Sequence, residues 1–191
     1  MKRILLLSVA CLMLGTAANA QNWTFGAKAG MNVTGLNGDW DLATKFSFNL
    51  GAFAEYRFND FFGVQPELLY SRQGAYEKKT GTKITVRLNY INLPILAKLY
   101  VLDNLSIDLG PQFGVMLNSK LVAKEDGHTE KTDLDDLMDM KGLDVSFALG
   151  LTYSVDYHWS VNARYNLGLT DVSKDVDGKN SVFQIGVGYR F

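Results

Sequence analysis

Two histidines, His128 and His158, are the residues best suited to acid–base chemistry. Barrel enzymes that edit lipid A or phospholipid set a histidine beside a serine or an acid near the lipid interface, where the imidazole activates a nucleophile. His128, with Asp126 and Glu130 beside it, is the one position with such company. Both histidines fall in connecting segments and no catalytic motif surrounds them, so His128 reads as a solvated loop histidine. The surrounding segment, Ser119–Gly142, also holds Glu125, Asp133, Asp135, Asp136 and Asp139 against four lysines. Clustered carboxylates suit Ca²⁺, but Asp133-x-Asp135-Asp136 lacks the glycine and the terminal glutamate spacing of an EF-hand loop. No catalytic residue, metal site or cofactor is assigned. Leu134, Leu137 and Met138 recur at i, i+3 and i+4, and Thr132 or Asp133 could cap a short helix. These three apolar residues are the candidate contact for a protein partner.

A second set of candidates is electrostatic. Glu55, Arg57, Glu67, Arg87, Lys98, Asp108, Arg164 and Arg190 lie on the polar side of alternating segments. A charge buried without a partner costs several kcal/mol, so mixed charges on one buried face must find each other, and even then add little net stability. The expectation is a structural ion-pair network. The alternative is a narrow path for protons or ions.

The elements that would position these groups are strands. From Phe46 to Phe58, Phe46, Phe48, Leu50, Ala52, Ala54, Tyr56 and Phe58 share one face. Ser47, Asn49, Gly51, Glu55 and Arg57 share the other, with Phe53 the single exception. That is a period of two, the spacing of a strand. The split returns in Leu143–Val155, Trp159–Leu169 and the final Phe183–Phe191. Thr24–Val33, Phe62–Gln73, Thr82–Tyr100 and Leu105–Asn118 complete eight strands. The phase of Thr82–Tyr100 shifts near Tyr90-Ile91, which predicts a bulge. Asn59-Asp60, Leu102-Asp103-Asn104 and Asp156-Tyr157 read as tight turns. Leu36–Lys45, Tyr76–Gly81, Ser119–Gly142 and Asp171–Asn180 read as longer connections.

Alternation fits two barrels, one with its apolar face around a ligand and one with it toward lipid. An eight-stranded interior is only wide enough to be filled by side chains, so it could not hold several bulky groups from every strand. The opposite face is rich in Gly, Ser, Asn and charge, and Arg or Lys facing mid-membrane lipid would cost roughly 2–4 kcal/mol each. The fold class expected is therefore all-β, an eight-stranded antiparallel up-and-down transmembrane β-barrel with lipid as its outer partner. Short turns at one rim and long connections at the other match the outer-membrane pattern of periplasmic turns and extracellular loops. An even strand count then puts both termini in the periplasm of a Gram-negative envelope. Phe58, Phe61, Phe62, Tyr100, Tyr157, Trp159, Tyr189 and Phe191 gather at the short-turn rim as a girdle requires.

Residues 1–20 read as a signal peptide, with Lys2-Arg3, an apolar Ile4–Leu14 run and Ala18-Asn19-Ala20 before the cut. Residues 21–191 then form one barrel domain, which lacks Cys11 and so any disulfide. The near-balanced charge lacks the basic footprint of a nucleic-acid binder. Pro66, Pro94 and Pro111 fall within three consecutive strands, where a missing ladder donor predicts a belt of bulges. The closing Tyr189-x-Phe191 reads as the aromatic signal taken up by the barrel-assembly machinery.

The segments Gln65–Ser71, Tyr90–Lys98 and Gly110–Gly114 resemble those of the PorT-like outer-membrane β-barrel family, and the likeness spans the chain after Ala20. The resemblance implies the fold and the location. It does not imply the secretion role of the founding member, because most relatives have no assigned role. The functional expectation is a structural or interaction barrel acting through its extracellular loops.

Overall fold

The computed structural model describes residues 23–38, 43–79, 82–125, 128–133, 142–171 and 178–191. Its strands are β1 (Trp23–Gly38), β2 (Ala43–Arg57), β3 (Phe62–Gln73), β4 (Ala75–Lys79), β5 (Thr82–Leu102), β6 (Leu105–Glu125), β7 (His128–Asp133), β8 (Leu143–Ser154), β9 (Trp159–Asp171) and β10 (Gly178–Arg190). β3 and β4 are one stave interrupted at Gly74, because both pair with β2 on one side and β5 on the other. β7 and β8 likewise share one stave, both pairing with β6. Eight antiparallel staves result, and pairing of β1 with β10 from Gly26↔Arg190 to Gly38↔Gly178 closes the ring. Closure leaves no sheet edge, so every backbone polar group at membrane depth can find a partner.

The three tight turns form where their residue types predict. Asn59 Oδ1 accepts from the backbone N–H of Phe61 and Phe62, both at 2.9 Å. Asp156 Oδ1 does the same for His158 and Trp159, both at 2.7 Å. These side chains substitute for a backbone acceptor and fix the chain reversal. Around this rim Tyr56, Phe58 and Phe62 stack in one group, and Trp159, Tyr189 and Phe191 in another. Higher on the wall Leu50, Leu68, Leu149, Leu151 and Ile185 are each half or more exposed, as side chains bathed in lipid must be.

The opposite rim departs from expectation. β5 and β6 each run for 21 residues, about twice the ~9–11 that cross a membrane. Much of the expected Ser119–Gly142 connection is hairpin, with Lys120–Glu125 of β6 paired to β7 from Asp133 to His128. Polar residues on both faces looked like loop, but a strand standing clear of the membrane has water on its outer side and tolerates them. The short helix expected around Leu134, Leu137 and Met138 lies outside the described residues. The remaining long connections are shorter than expected, because β1 runs to Gly38, β2 begins at Ala43, β4 takes up Ala75–Lys79 and β10 begins at Gly178. That leaves 39–42, 80–81 and 172–177 outside the described residues.

The phase shift near Tyr90-Ile91 coincides with a register shift in the β5–β6 ladder, between Asn89 and Tyr90. Val86, Leu88, Tyr90, Asn92, Pro94, Leu96 and Lys98 are buried, and the alternation breaks once, at Asn89, which is buried against Tyr70, Arg72 and Asn118. The solvent outside changes over the same stretch: Leu93, Ile95 and Leu99 face lipid, whereas the outward Thr85 and Arg87 lie above it. Inside, Ala75, Val86, Leu88 and Tyr90 form a small apolar core with Met116 and Leu121 against it. The extra residue sits across the ladder on β6, where pairing jumps from Asn89↔Asn118 to Tyr90↔Met116 and skips Leu117.

The predicted bulges at the prolines are absent. Pairing skips Ala54/Glu55 against Pro66/Gln65, then Glu67/Leu68 against Pro94/Leu93, then Ile95/Leu96 against Pro111/Gly110. Each gap removes equal numbers from both strands, so register is kept. Each proline lacks the N–H it would offer the preceding stave, and the ladder opens there without an inserted residue.

Candidate functional site

The inward side chains converge on two layers of charge. In the middle layer Glu67 of β3 receives both terminal nitrogens of Arg164 from β9, at 2.8 and 2.7 Å. Lys28 Nζ of β1 lies 3.1 Å from the same carboxylate. Staves β3 and β9 are four apart in the ring of eight, so the Glu67–Arg164 pair spans the full lumen. Nearer the short-turn rim, Lys98 Nζ is 3.2 Å from Glu55 and 3.8 Å from Asp108, and Arg190 is 3.7 Å from Glu55. Gln65 joins the layers, accepting from Lys98 Nζ at 2.9 Å and donating to Glu67 at 2.6 Å. Tyr100 donates to Glu55 Oε1, and Ser106 and Thr152 donate to the two oxygens of Asp108. Bidentate geometry and added donors are what a buried ion pair needs to offset desolvation.

Phe53, the exception in its strand, completes the plug. It is buried, and a Cβ on Gly26 would come within 2.3 Å of its ring, so the ring occupies space that glycine leaves open. Among Lys28, Phe53, Gln65 and Lys98 the free space is about 10 Å³. That is room for one water at most. Below the plug a cleft of about 660 Å³ opens at the short-turn rim, lined by Glu55, Arg57, Tyr100, Asp103, Asp156 and Arg190. The Asp156 carboxyl sits below the ordinary carboxylate range because the N–H groups of Trp159 and His158 stabilise its anion.

This closed, lipid-faced barrel agrees with the comparisons to known proteins. A family model described as an outer membrane protein beta-barrel domain matches residues 19–174. The chain belongs to that family. The outer-membrane barrel also superposes on Neisserial surface protein A with a TM-score of 0.59 at 15% identity, covering 87% of this chain and 97% of that one. Ail, the attachment invasion locus protein of Yersinia pestis, gives 0.54 at 17% identity over 90% and 100%. Identity this low carries the fold alone. No curated protein matches the sequence.

The outer-membrane barrel does not use all eight expected charges in one place. Glu55, Glu67, Lys98, Asp108, Arg164 and Arg190 meet in the lumen. Arg57 turns to the rim, donating to the carbonyls of Asn59 and Asp60 and lying 4.1 Å over the Tyr100 ring. Arg87 faces outward, paired across the ladder with Lys120, because inward positions on β5 are even-numbered. Lys28 was missed. Its signal was present, since it shares alternate positions with Gly26, Gly30 and Asn32 between outward Ala27, Ala29 and Met31. His158 is exposed at the short-turn rim, stacked on Tyr189 at 5.6 Å. His128 begins β7, and its neighbour Asp126 and the partner candidates Leu134, Leu137 and Met138 lie outside the described residues. Among the described residues no three His, Cys, Asp or Glu side chains are grouped to hold a metal ion.

Proposed function

We propose that this protein is a closed structural or interaction barrel that presents its long connections at the cell surface and conducts nothing through its lumen. The observation that carries the reading is the Glu67–Arg164 pair across the whole lumen, with Phe53 and Lys28 packed beside it. A plugged interior leaves the outside as the working surface, and the β5–β6 hairpin with β7 extends furthest from the apolar band. In this reading the short turns and both termini are periplasmic, residues 1–20 are removed on export, and Phe191 engages the barrel-assembly machinery. Leu134, Leu137 and Met138 are the contact offered to a protein partner. The segments Gln65–Ser71, Tyr90–Lys98 and Gly110–Gly114 support a PorT-like affiliation within the family.

Two measurements test this. Purified barrel in a planar bilayer should show no ion conductance, and steady single-channel currents would replace the proposal with a pore. Protease added to intact cells should cut within 119–142 and spare the turn at 58–61; the reverse pattern would invert the orientation. If the surface reading holds, replacing Leu134, Leu137 and Met138 with Ser should leave the barrel heat-modifiable on a gel and abolish partner capture.

A further inference from the structure

Above the charged plug one lumen carboxylate stands apart. Asp144 of β8 is 5% exposed, yet no Lys or Arg among the described residues pairs with it, unlike Glu55, Glu67 and Asp108. Its hydrogen-bond donor is Asn180 Nδ2 at 3.2 Å, which also lies 3.3 Å from the Tyr90 hydroxyl oxygen. One ladder row sets Asn92, Gly114 and Asp144 side by side on β5, β6 and β8. Asn92 is 1% exposed, and neither its Oδ1 nor its Nδ2 has a partner. All three polar residues crowd the space left by the missing side chain of Gly114. A Cβ there would lie 2.8 Å from Asn92 Oδ1, 3.3 Å from Asp144 Cβ and 3.4 Å from Tyr90 Cδ1.

A buried amide with both ends unpaired and a buried carboxylate without a cation are each costly. One hard cation would offset both, because carboxylate, amide carbonyl and hydroxyl oxygens are its natural ligands. We propose that Asp144, Asn92 and Tyr90 form a binding site for a monovalent alkali cation over Gly114. The charge balance selects the class. A single carboxylate neutralises one positive charge, whereas a divalent ion would leave a net charge buried. The ion fastens β5 to β8 across β6 at the base of the apolar cap formed by Val86 and Leu88, and so stiffens the surface end of the barrel.

The test is the temperature at which the folded gel band is lost, measured in NaCl and in choline chloride at equal ionic strength near neutral pH. The wild-type midpoint should be several degrees higher in NaCl and saturate with concentration. Asp144→Asn, which keeps shape and removes the charge, should abolish the difference. Should that variant fail to fold, Asn92→Leu serves in its place and should also abolish the difference. Equal wild-type midpoints in the two salts would overturn the site, leaving the carboxyl to a proton or to water. Sodium dependence that survives in the substituted protein would overturn its location.

Discussion

Arg164 and Glu67 are 97 residues apart in sequence and sit on opposite staves, yet two N–H···O bonds of 2.8 and 2.7 Å join them through the centre of the barrel. The guanidinium fork matches the two carboxylate oxygens, a geometry that lysine could not supply. Lys28 shares the same carboxylate. Glu67 is therefore, among the described residues, the anion in direct contact with both buried cations, and the consequences of removing each partner differ.

Glu67→Gln should be the most damaging single change, because it strands Arg164 and Lys28 together. Breaking a buried pair costs about 3–5 kcal/mol, and this variant should reach the upper end. Arg164→Met should cost less, since Lys28 remains to neutralise Glu67. Urea unfolding followed by gel mobility checks the order, and an equal loss in both variants would contradict it.

Leu149 is half exposed on the lipid-facing wall, whereas Arg87 stands above the apolar band. Leu149→Arg should destabilise the folded barrel in bilayers by about 2–4 kcal/mol, the cost of a cation near the midplane. Arg87→Leu should change stability by less than about 0.5 kcal/mol, as a substitution on a watered surface does. Refolding yields in lipid vesicles measure both.

Gly74 has φ of +118°, and a Cβ there would come 2.3 Å from the Val86 carbonyl oxygen. Thr34 Oγ1 donates to the Gly74 carbonyl at 2.5 Å and holds the kink between β3 and β4. Gly74→Ala should cost about 1–3 kcal/mol of backbone strain. The damage should be confined to the rim away from the short turns, raising protease cutting around 75–86 while the gel heat shift persists.

Asp156 gives a pH dependence of known sign. Its carboxyl is held below the ordinary range by two backbone N–H donors, so the folded state favours the anion. That stabilisation is fully present above the unfolded-state value, about 3.9, and is lost as pH falls through the lower folded value. Stability of the wild type should fall more steeply as the pH drops below about 4 than that of Asp156→Ala. Parallel profiles would show that the turn does not contribute.

The sequence by itself determined the eight staves, the lipid-facing side and the three tight turns. Each is written in local chemistry: residues two apart share a face, and Asn59 or Asp156 can close a turn within a few residues of itself. It also placed most of the charges in the lumen, because lipid excludes them. Which charge meets which was decided only by closure. Stagger around the ring brings Arg164 opposite Glu67, while Arg57 bends to the rim and Lys28 joins. The same is true of Phe53, whose inward ring makes sense only once Gly26 lies beneath it. The phase shift near Tyr90 marked a real irregularity in the ladder, but only the paired strands show that the extra residue, Leu117, belongs to β6 rather than β5. Sequence periodicity reports the difference between a strand's two faces, and only the assembled barrel says what each face touches.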